Sequence, residues 1–317
     1  MACISIFDYT GSPTKKTLFI ISLALVLVAP VFADPPPDRA AMLRALANHP
    51  ILVQPLRGGV YWVSGGVSNT GFIVGDTGVI VIDAQMFVPI AEKVLAEIAK
   101  ITPYPVNEII LTHSDPDHVN GLPAYPRGLE IIAQENTKKD MLEAIADPHS
   151  PFAVASQALK DYLPSRLVTS EATLNLDGVR VILLHSAPAH TDGDLIVYLP
   201  AQKIVFAGDL WTPSVGPYPG IHLNKHGSSL GWIASTKAML TLDADTFISG
   251  HGEPQTRDEI AARIESAEAR RAQIKVLVEQ HKSLEEVKAA LNDPPPTSEA
   301  ALFPTFTETT YQELTRP

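Results

Sequence analysis

The pattern of apolar and polar positions divides the chain into two groups of predicted strands, each accompanied by predicted helices. In the first group, apolar runs bounded by glycine-rich turns predict strands over 59–64, 71–74, 79–82, 106–111 and 129–133. Helical spacing predicts helices over 88–101, 136–145 and 152–163. The second group comprises strands over 173–176, 179–184, 195–199, 203–207 and 246–249, with a helix over 228–242. This arrangement indicates an α/β protein in which two sheets pack face to face with helices outside.

The pattern changes after residue 255. Charged, alanine-containing segments predict helices over 257–281 and 284–291, followed by a proline-rich stretch and a last helix near 307–314. We therefore divide residues 52–317 into a main domain over 52–255 and a C-terminal helical appendage over 256–317. The charges of the appendage are interpreted as a solvated face.

The N-terminal segment has the order of a secretory signal. Lys15 and Lys16 precede an uncharged apolar run over 18–32, which ends in small residues at Ala33. We predict a signal peptide over 1–33, then a proline-rich linker and a short helix (39–46) within 34–51. A retained membrane anchor is the alternative, and the shortness of the apolar run argues against it. The expected location is the periplasm or the exterior, without stable membrane association after cleavage.

Charge and cysteine content narrow the possible partners. The formal net charge is −11, which disfavours nucleic acid and anionic membranes as partners and leaves a small molecule as the expected one. The one cysteine, Cys3, lies in the predicted signal. The mature protein is therefore expected to have neither a disulfide nor a thiolate ligand or nucleophile.

The densest chemistry lies directly after the apolar run 106–111, where two imidazoles and two carboxylates fall within six positions. The four residues are His113, Asp115, Asp117 and His118. Neighbouring carboxylates removed from water cost several kcal/mol each unless a cation compensates them, so this density indicates a metal site. The alternative is a polar loop in which Asp115 or Asp117 caps a short helix. Pro116 is expected to discourage a helix within the run.

Three later residues strengthen the metal interpretation. His190, Asp209 and His251 each come shortly after a predicted strand and next to or near a glycine. Loops at the ends of strands are where binding sites are commonly built. We expect these three side chains to join the cluster.

Taken together, these motifs resemble the metallo-β-lactamase superfamily of binuclear metal hydrolases, from about residue 52 to 252. The resemblance implies a four-layer αββα sandwich. It also implies that His113, Asp115 and His190 hold one metal, that Asp117, His118 and His251 hold the other, and that Asp209 bridges both. Asp83, which ends the strand 79–82, is implied to orient a ligand histidine through its free ring nitrogen. A strand-end aspartate in a turn is the equal alternative for Asp83.

One departure from the family pattern concerns the metal. The family usually has histidine where this chain has Asp115. Three carboxylates would offset more of the charge of two divalent ions and make the site a weaker Lewis acid. We expect two divalent metal ions, zinc in the first place, with manganese or iron also compatible with the added oxygen ligand.

The predicted function is an exported hydrolase that uses a metal-bridging hydroxide on an ester, lactone, thioester, amide or phosphoester. Asp209 and Asp117 are the predicted catalytic residues, the first as the bridge and the second in proton transfer. The alternatives are a β-lactamase, which the bridging aspartate disfavours, an iron-dependent oxygenase-type relative, and a non-catalytic metal-binding protein.

The loop after Asp209 is rich in proline, glycine and aromatic residues and is the predicted substrate wall. Its candidate substrate contacts are Tyr218, His222, Lys225 and His226. For each of them an ordinary loop position is the alternative.

Overall fold

The computed structural model describes residues 44–45, 48–150, 153–212, 217–293 and 304–316. The predicted signal peptide (1–33), the proline-rich linker and most of the predicted helix at 39–46 lie outside these residues. Residues 44–45 are helical. Within the described ranges, no helix combines the length and apolarity needed to cross a bilayer.

The first sheet has seven strands in the order in which they occur along the chain. They are β1 (Ile51–Pro55), β2 (Val60–Gly65), β3 (Thr70–Val74), β4 (Val79–Ile82), β5 (Val106–Ile110), β6 (Glu130–Gln134) and β7 (Arg166–Val168). The first four strands pair antiparallel, and β4 to β7 pair parallel. Strands β4 and β5 therefore end at the same edge of the sheet.

The second sheet has five strands in the order β12-β11-β10-β9-β8. They are β8 (Glu171–Leu176), β9 (Val179–Leu184), β10 (Ile196–Leu199), β11 (Ile204–Phe206) and β12 (Thr246–Ile248). Only the pair β11–β12 is parallel; the remaining pairs are antiparallel. The parallel pair again places two strand ends at one edge.

The helices lie outside the sheets. They are α1 (Val88–Ile101), α2 (Pro116–Val119), α3 (Glu135–Ala146), α4 (Ala153–Ala158), α5 (Ser229–Met239), α6 (Arg257–Glu279), α7 (Leu284–Ala290) and α8 (Phe306–Thr315). Short 3₁₀ turns occur at Leu122–Ala124, Leu159–Asp161, Gly208–Leu210 and Leu223–Lys225.

Strand β4 shows how the layers form. All four of its residues are buried. Val79 and Val81 pack in the core under the helices of the first sheet, whereas Ile80 and Ile82 pack in the core between the two sheets. Successive strand residues point to opposite faces, so a continuous apolar run marks a strand that is covered on both sides. The predicted four-layer αββα sandwich is confirmed.

Two strands and one helix differ from the sequence prediction. Strands β1 and β7 were not predicted because both lie at sheet edges, where partial exposure removes a clear apolar pattern. The expectation that Pro116 would discourage a helix is wrong, since Pro116 is the first residue of α2. Proline is tolerated there because the first amide of a helix has no intrahelical acceptor. Asp115 occupies the N-cap position but makes no side-chain capping bond.

The C-terminal helices pack on the second sheet. Phe306 of α8 and Ile260 of α6 belong to the same buried cluster as Trp232 of α5. Glu313 of α8 reaches the N-terminus of α5, where its carboxylate accepts from Ser228 Oγ (2.6 Å), from Ser229 N (3.1 Å) and from the Ser229 hydroxyl. A carboxylate at a helix N-terminus is stabilised by the unpaired amides and the helix dipole.

We expect Glu313→Gln to lower the free energy of unfolding by about 1–2 kcal/mol, because the charge at the start of α5 is lost while the shape is kept. Urea denaturation would measure the change. Glu279→Gln is the matched control, since Glu279 is mostly exposed and pairs with Lys275 on the surface at 3.8 Å. Equal effects of the two substitutions would contradict the role of Glu313.

Candidate metal centre

The predicted ligands converge at the edge where strands of both sheets end. His113 follows β5, and Asp117 and His118 lie in α2, just beyond it. Asp115 directly precedes α2. The remaining three come from the second sheet: His190 lies in the β9–β10 connection, and Asp209 and His251 follow β11 and β12. Residues almost 140 positions apart in the sequence therefore meet, because parallel strands of each sheet end at one edge and the two sheets pack face to face.

The first group of potential ligands consists of His113, Asp115, His190 and Asp209. Each offers one ligand atom, and these atoms all lie within 4.8 Å of one another. The Oδ2 atom of Asp115 is 3.1 Å from His190 Nε2 and 3.6 Å from His113 Nε2.

The second group consists of Asp117, His118, His251 and Asp209, again with ligand atoms within 4.8 Å of one another. Asp117 Oδ2 lies 3.1 Å from His251 Nε2 and 3.5 Å from His118 Nε2. The carboxylate of Asp209 lies between the two imidazoles, with Oδ1 3.2 Å from His118 Nε2 and Oδ2 3.1 Å from His251 Nε2. Asp209 is the one residue that both groups share, which is the position of a bridge.

The imidazole and carboxylate atoms of the two groups suit metal ions better than they suit hydrogen bonds to one another. Within the described chain, the buried atoms His113 Nε2, His118 Nε2 and Asp209 Oδ1 have no hydrogen-bond partner. Buried polar atoms without partners are rare in native proteins, and three imidazole and carboxylate atoms of this kind in one cluster fit bound metal ions. Two donors at about 2.1 Å from a zinc ion, at tetrahedral angles, would be about 3.4 Å apart, which lies within the 3.1–3.6 Å range of these donor pairs. The two groups therefore suit two divalent ions.

Asp83 lies behind the potential ligands, in contact with His118 directly and with His113 through Thr112. Its Oδ2 is 2.8 Å from His118 Nδ1 and accepts from Thr112 Oγ1 at 2.7 Å, while its Oδ1 accepts from Thr112 N at 2.8 Å. The Thr112 hydroxyl is in turn 3.0 Å from His113 Nδ1. Because the Nδ1 atoms are engaged on this side, the Nε2 atoms of both histidines face the cluster.

Close packing around Asp209 requires glycine. A Cβ atom at Gly250 would lie 2.0 Å from Asp209 Oδ1 and 2.6 Å from His118 Cε1. Gly208 has a φ of +51°, and a Cβ there would lie 2.5 Å from Thr112 Oγ1. The glycines next to Asp209 and His251 in the sequence thus allow the backbone to approach the ligands.

Comparison with known proteins agrees with this geometry. The family model described as "Metallo-beta-lactamase superfamily" matches residues 63–251, which include all seven potential ligands and Asp83. The chain belongs to the metallo-β-lactamase superfamily.

Among curated members of the superfamily, the alpha subunit of 2,4-dinitroanisole O-demethylase from Nocardioides sp. (strain JS1661) is 30% identical over 214 residues. A linear primary-alkylsulfatase from Pseudomonas sp. (strain ATCC 19151) is 24% identical over 214 residues. The alignments cover 67% and 56% of this chain, but only 61% and 40% of those two proteins. The chain therefore spans roughly half the length of these relatives.

Solved structures share the fold. The stereoselective inverting sec-alkylsulfatase Pisa1 from Pseudomonas sp. has a TM-score of 0.64 at 17% identity, covering 84% of this chain and 50% of its own. A metallo-β-lactamase from Pontibacter korlensis has a TM-score of 0.57 at 18% identity, covering 69% of this chain and 99% of its own. At these identities the likeness concerns the sandwich alone.

The four candidate substrate residues lie at different distances from the two ligand groups. His222 and Lys225 lie beside the first ligand group, with His222 Nδ1 3.3 Å and Lys225 Nζ 2.6 Å from the oxygens of Asp115. The ring of Tyr218 stacks on Phe306 of α8 at 5.4 Å. His226 is exposed at the end of the 3₁₀ turn, with a φ of +54°.

Two residues that support the site were not predicted from the sequence. The first is Thr112, which directly precedes His113. The second is Asn69, which donates from Nδ2 to Ser249 O (2.9 Å) and Gly252 O (2.8 Å), on both sides of His251. Thr112 could have been found from its position, but nothing local to Asn69 marks a contact with a segment about 180 residues away.

Electrostatics in the metal-free site favour protonated imidazoles. Burial lowers the pKa of His190, but the hydrogen bond and charge of Asp115 outweigh it and raise the pKa to about 9. Burial likewise opposes protonation of His251, yet Asp209 and Asp117 raise its pKa to about 10. Burial raises the pKa of Asp209, and the neighbouring His251 and His118 overcome this and hold it well below its usual range.

These shifts predict that metal binding strengthens as the pH rises. At pH 7 His190 and His251 hold protons in the metal-free protein, and a metal must displace them. Zinc affinity should therefore increase about tenfold per pH unit for each displaced proton between pH 6 and 8. Competition with a chromophoric chelator would measure it, and His251→Ala should reduce the slope by one proton. An affinity independent of pH would contradict these protonation states.

A second prediction concerns Asp83. Asp83→Asn keeps a residue that tolerates its positive φ of 62° but removes the charge beside His118. Zinc affinity should fall about 10–100-fold, the usual effect of losing a carboxylate behind a ligand histidine. Asp177→Asn is the matched control, because Asp177 also has a positive φ (45°) and accepts hydrogen bonds from Thr77 and Asn107, with no metal group beside it in the described structure. An equal loss in both variants would reject the role of Asp83.

Proposed function

We propose that this chain is an exported, metal-dependent hydrolase that cleaves an ester-type bond in a small molecule. The observation that carries the proposal is the pair of ligand groups joined by Asp209. Two divalent ions there, zinc in the first place with manganese or iron as alternatives, would supply an activated water nucleophile and a Lewis acid. Export rests on the basic, apolar and small-residue order of residues 1–33.

The proposed reaction needs a group that takes a proton from water. Asp117 is the carboxylate best placed for this, because its side chain is 19% exposed whereas those of Asp115 and Asp209 are 9% and 10% exposed. Asp117 lies in the first turn of α2, and its Oδ2 is 3.1 Å from His251 Nε2. We assign to Asp209 the role of joining the two ligand groups, and to Asp117 the role of accepting the proton from water.

The exposure of the site residues indicates the direction of substrate entry. The side chains of His113 and His118 are almost fully buried and form the floor. Those of Asp117, His222, Lys225 and His251 are partly exposed and form the rim. A substrate would approach over this rim, where its scissile bond meets both ligand groups.

The substrate class is drawn from the resemblance and from the relatives. Esters, lactones, thioesters, amides and phosphoesters suit a bridged binuclear site. The names of the similar proteins add sulfate esters and an aryl methyl ether. β-Lactams rank lower, because Asp209 stands where the β-lactamases proper generally lack an aspartate.

The test is a substrate panel with the metal-loaded protein. The panel includes nitrophenyl esters, nitrophenyl and alkyl sulfates, dinitroanisole, a lactone, a thioester, a phosphodiester and a β-lactam, with product release as the readout. We expect turnover in the ester classes and a loss of about 10²–10³-fold or more in Asp209→Asn. Asp258→Asn, at the exposed start of α6, is the control. No turnover with two metals bound per chain would reject the hydrolase and favour a non-catalytic metal-binding protein.

Asp115 favours one second candidate, an iron-dependent oxygenase-type relative, because it adds an oxygen ligand to the first group. Loading with ferrous iron and measuring oxygen uptake in the presence of the same panel would distinguish the two. Oxygen consumption that depends on substrate would support the oxygenase, and hydrolysis without oxygen consumption would reject it.

A further inference from the structure

The two oxygens of Asp115 have different partners. Oδ2 faces three imidazoles, at 3.1 Å from His190 Nε2, 3.3 Å from His222 Nδ1 and 3.6 Å from His113 Nε2. Oδ1 instead accepts from Lys225 Nζ at 2.6 Å. One oxygen is thus directed to the ligand group and the other to an ammonium. This arrangement leaves Oδ2 available to a metal while Oδ1 is hydrogen-bonded to Lys225.

Lys225 is held in place by more than its contact with Asp115. Its ammonium also donates to Ser114 Oγ at 2.9 Å, and the Ser114 hydroxyl donates to Asp140 Oδ2 of α3 at 2.8 Å. Its backbone carbonyl accepts from Asp192 N at 2.9 Å. The ammonium is therefore positioned between two neighbouring residues, Ser114 and Asp115.

The segment that carries Lys225 is docked on the loop of His190. The amide of His222 donates to the carbonyl of His190 at 2.8 Å, and the carbonyl of Gly220 is 2.9 Å from His190 Nδ1. A Cβ atom at Gly227 would lie 2.3 Å from the same His190 carbonyl. The 3₁₀ turn ending at Lys225 and the metal-binding loop thus form one unit, so the lysine is part of the structure around the metal centre.

Charge explains what such a lysine does. The usual histidine of the superfamily is a neutral ligand, whereas Asp115 brings a negative charge into a site that already contains Asp117 and Asp209. A buried carboxylate requires an opposite charge or several hydrogen bonds. Together Asp115 and Lys225 have no net charge, which restores the charge of the usual ligand.

We propose that Lys225 is the positioning residue of Asp115, and that the Asp115–Lys225 pair replaces the neutral histidine of the superfamily at the first metal group. The proposal rests on the metal-binding part of the proposed function. Lys225 is thereby reassigned from substrate contact to support of a ligand. Its positive charge offsets the loss of Lewis acidity that an unpaired Asp115 would cause at the metal.

The test is a double-mutant cycle with Asp115→His and Lys225→Met, measured by zinc affinity in competition with a chelator. Removing the positive charge favours zinc in both backgrounds, but in the wild type it also removes the hydrogen bond that holds Asp115 Oδ1, and this loss offsets the gain. In the histidine background only the charge is removed. Removing the lysine should therefore tighten zinc binding at least about tenfold more in that background than in the wild type. Lys225→Arg, which keeps the charge, should retain wild-type affinity.

A second readout uses the metal-free protein. Lys225→Met should lower the melting temperature when Asp115 is present, since a buried carboxylate loses its partner, but not in the Asp115→His background. Lys237→Met is the matched control, because Lys237 pairs with Glu268 on the surface, 2.5 Å away.

Additive effects on both zinc affinity and melting would overturn the proposal, as would a Lys225→Met variant in which only the KM for substrate changes. Neither zinc binding nor melting requires turnover. A coupled pair in a protein without activity would reject the hydrolase alone, and additive effects in an active enzyme would reject the role of Lys225 alone.

Discussion

Buried carboxylates at the junction of the two sheets are compensated by neighbouring cationic and imidazole groups, and this compensation governs how the site is built. Asp83, Asp115 and Asp209 are each at least nine-tenths buried at the edge where the two sheets meet. An isolated charge in such a place costs several kcal/mol. Each of these carboxylates faces an imidazole, an ammonium or backbone amides. The same arrangement that lowers this cost leaves Nε2 and carboxylate atoms directed at two common points, which is what binding metal requires.

The sandwich provides the rigidity that this arrangement needs. Strands β4, β5, β11 and β12 are covered by apolar side chains on both faces, so their ends are held by close packing. A hydrogen bond from Leu195 N to Thr112 O (2.7 Å) joins the second sheet to the segment that carries His113. Ligands delivered by two different sheets therefore keep a fixed distance, and Asp209 is placed between the two groups.

The C-terminal helices extend this support to the rim. The ring of Tyr218 stacks on Phe306 of α8. The Cζ atom of Arg270 lies over the same tyrosine ring, 5.1 Å from the ring centroid. Glu313 fixes the start of α5 at Ser228 and Ser229. The segment with His222 and Lys225 lies between these two contacts, and hydrogen bonds also attach it to the loop of His190. The helices after residue 256 thus contribute to the site without supplying a ligand.

The two groups of strands and the candidate metal ligands could be predicted from the residue pattern, and the four layers from the resemblance to the superfamily. A strand that is covered on both faces, such as 79–82, can be predicted from the sequence because burial on two sides leaves no polar position in the run. The candidate metal ligands could be predicted because two imidazoles and two carboxylates within six positions are costly to bury without a cation. The folded structure was needed to find the edge strands β1 and β7, the helix that starts at Pro116, the partners of Asn69 and the pairing of Lys225 with Asp115. These depend on contacts between segments up to about 180 residues apart, and no local pattern encodes a contact whose energy arises only after the chain has folded.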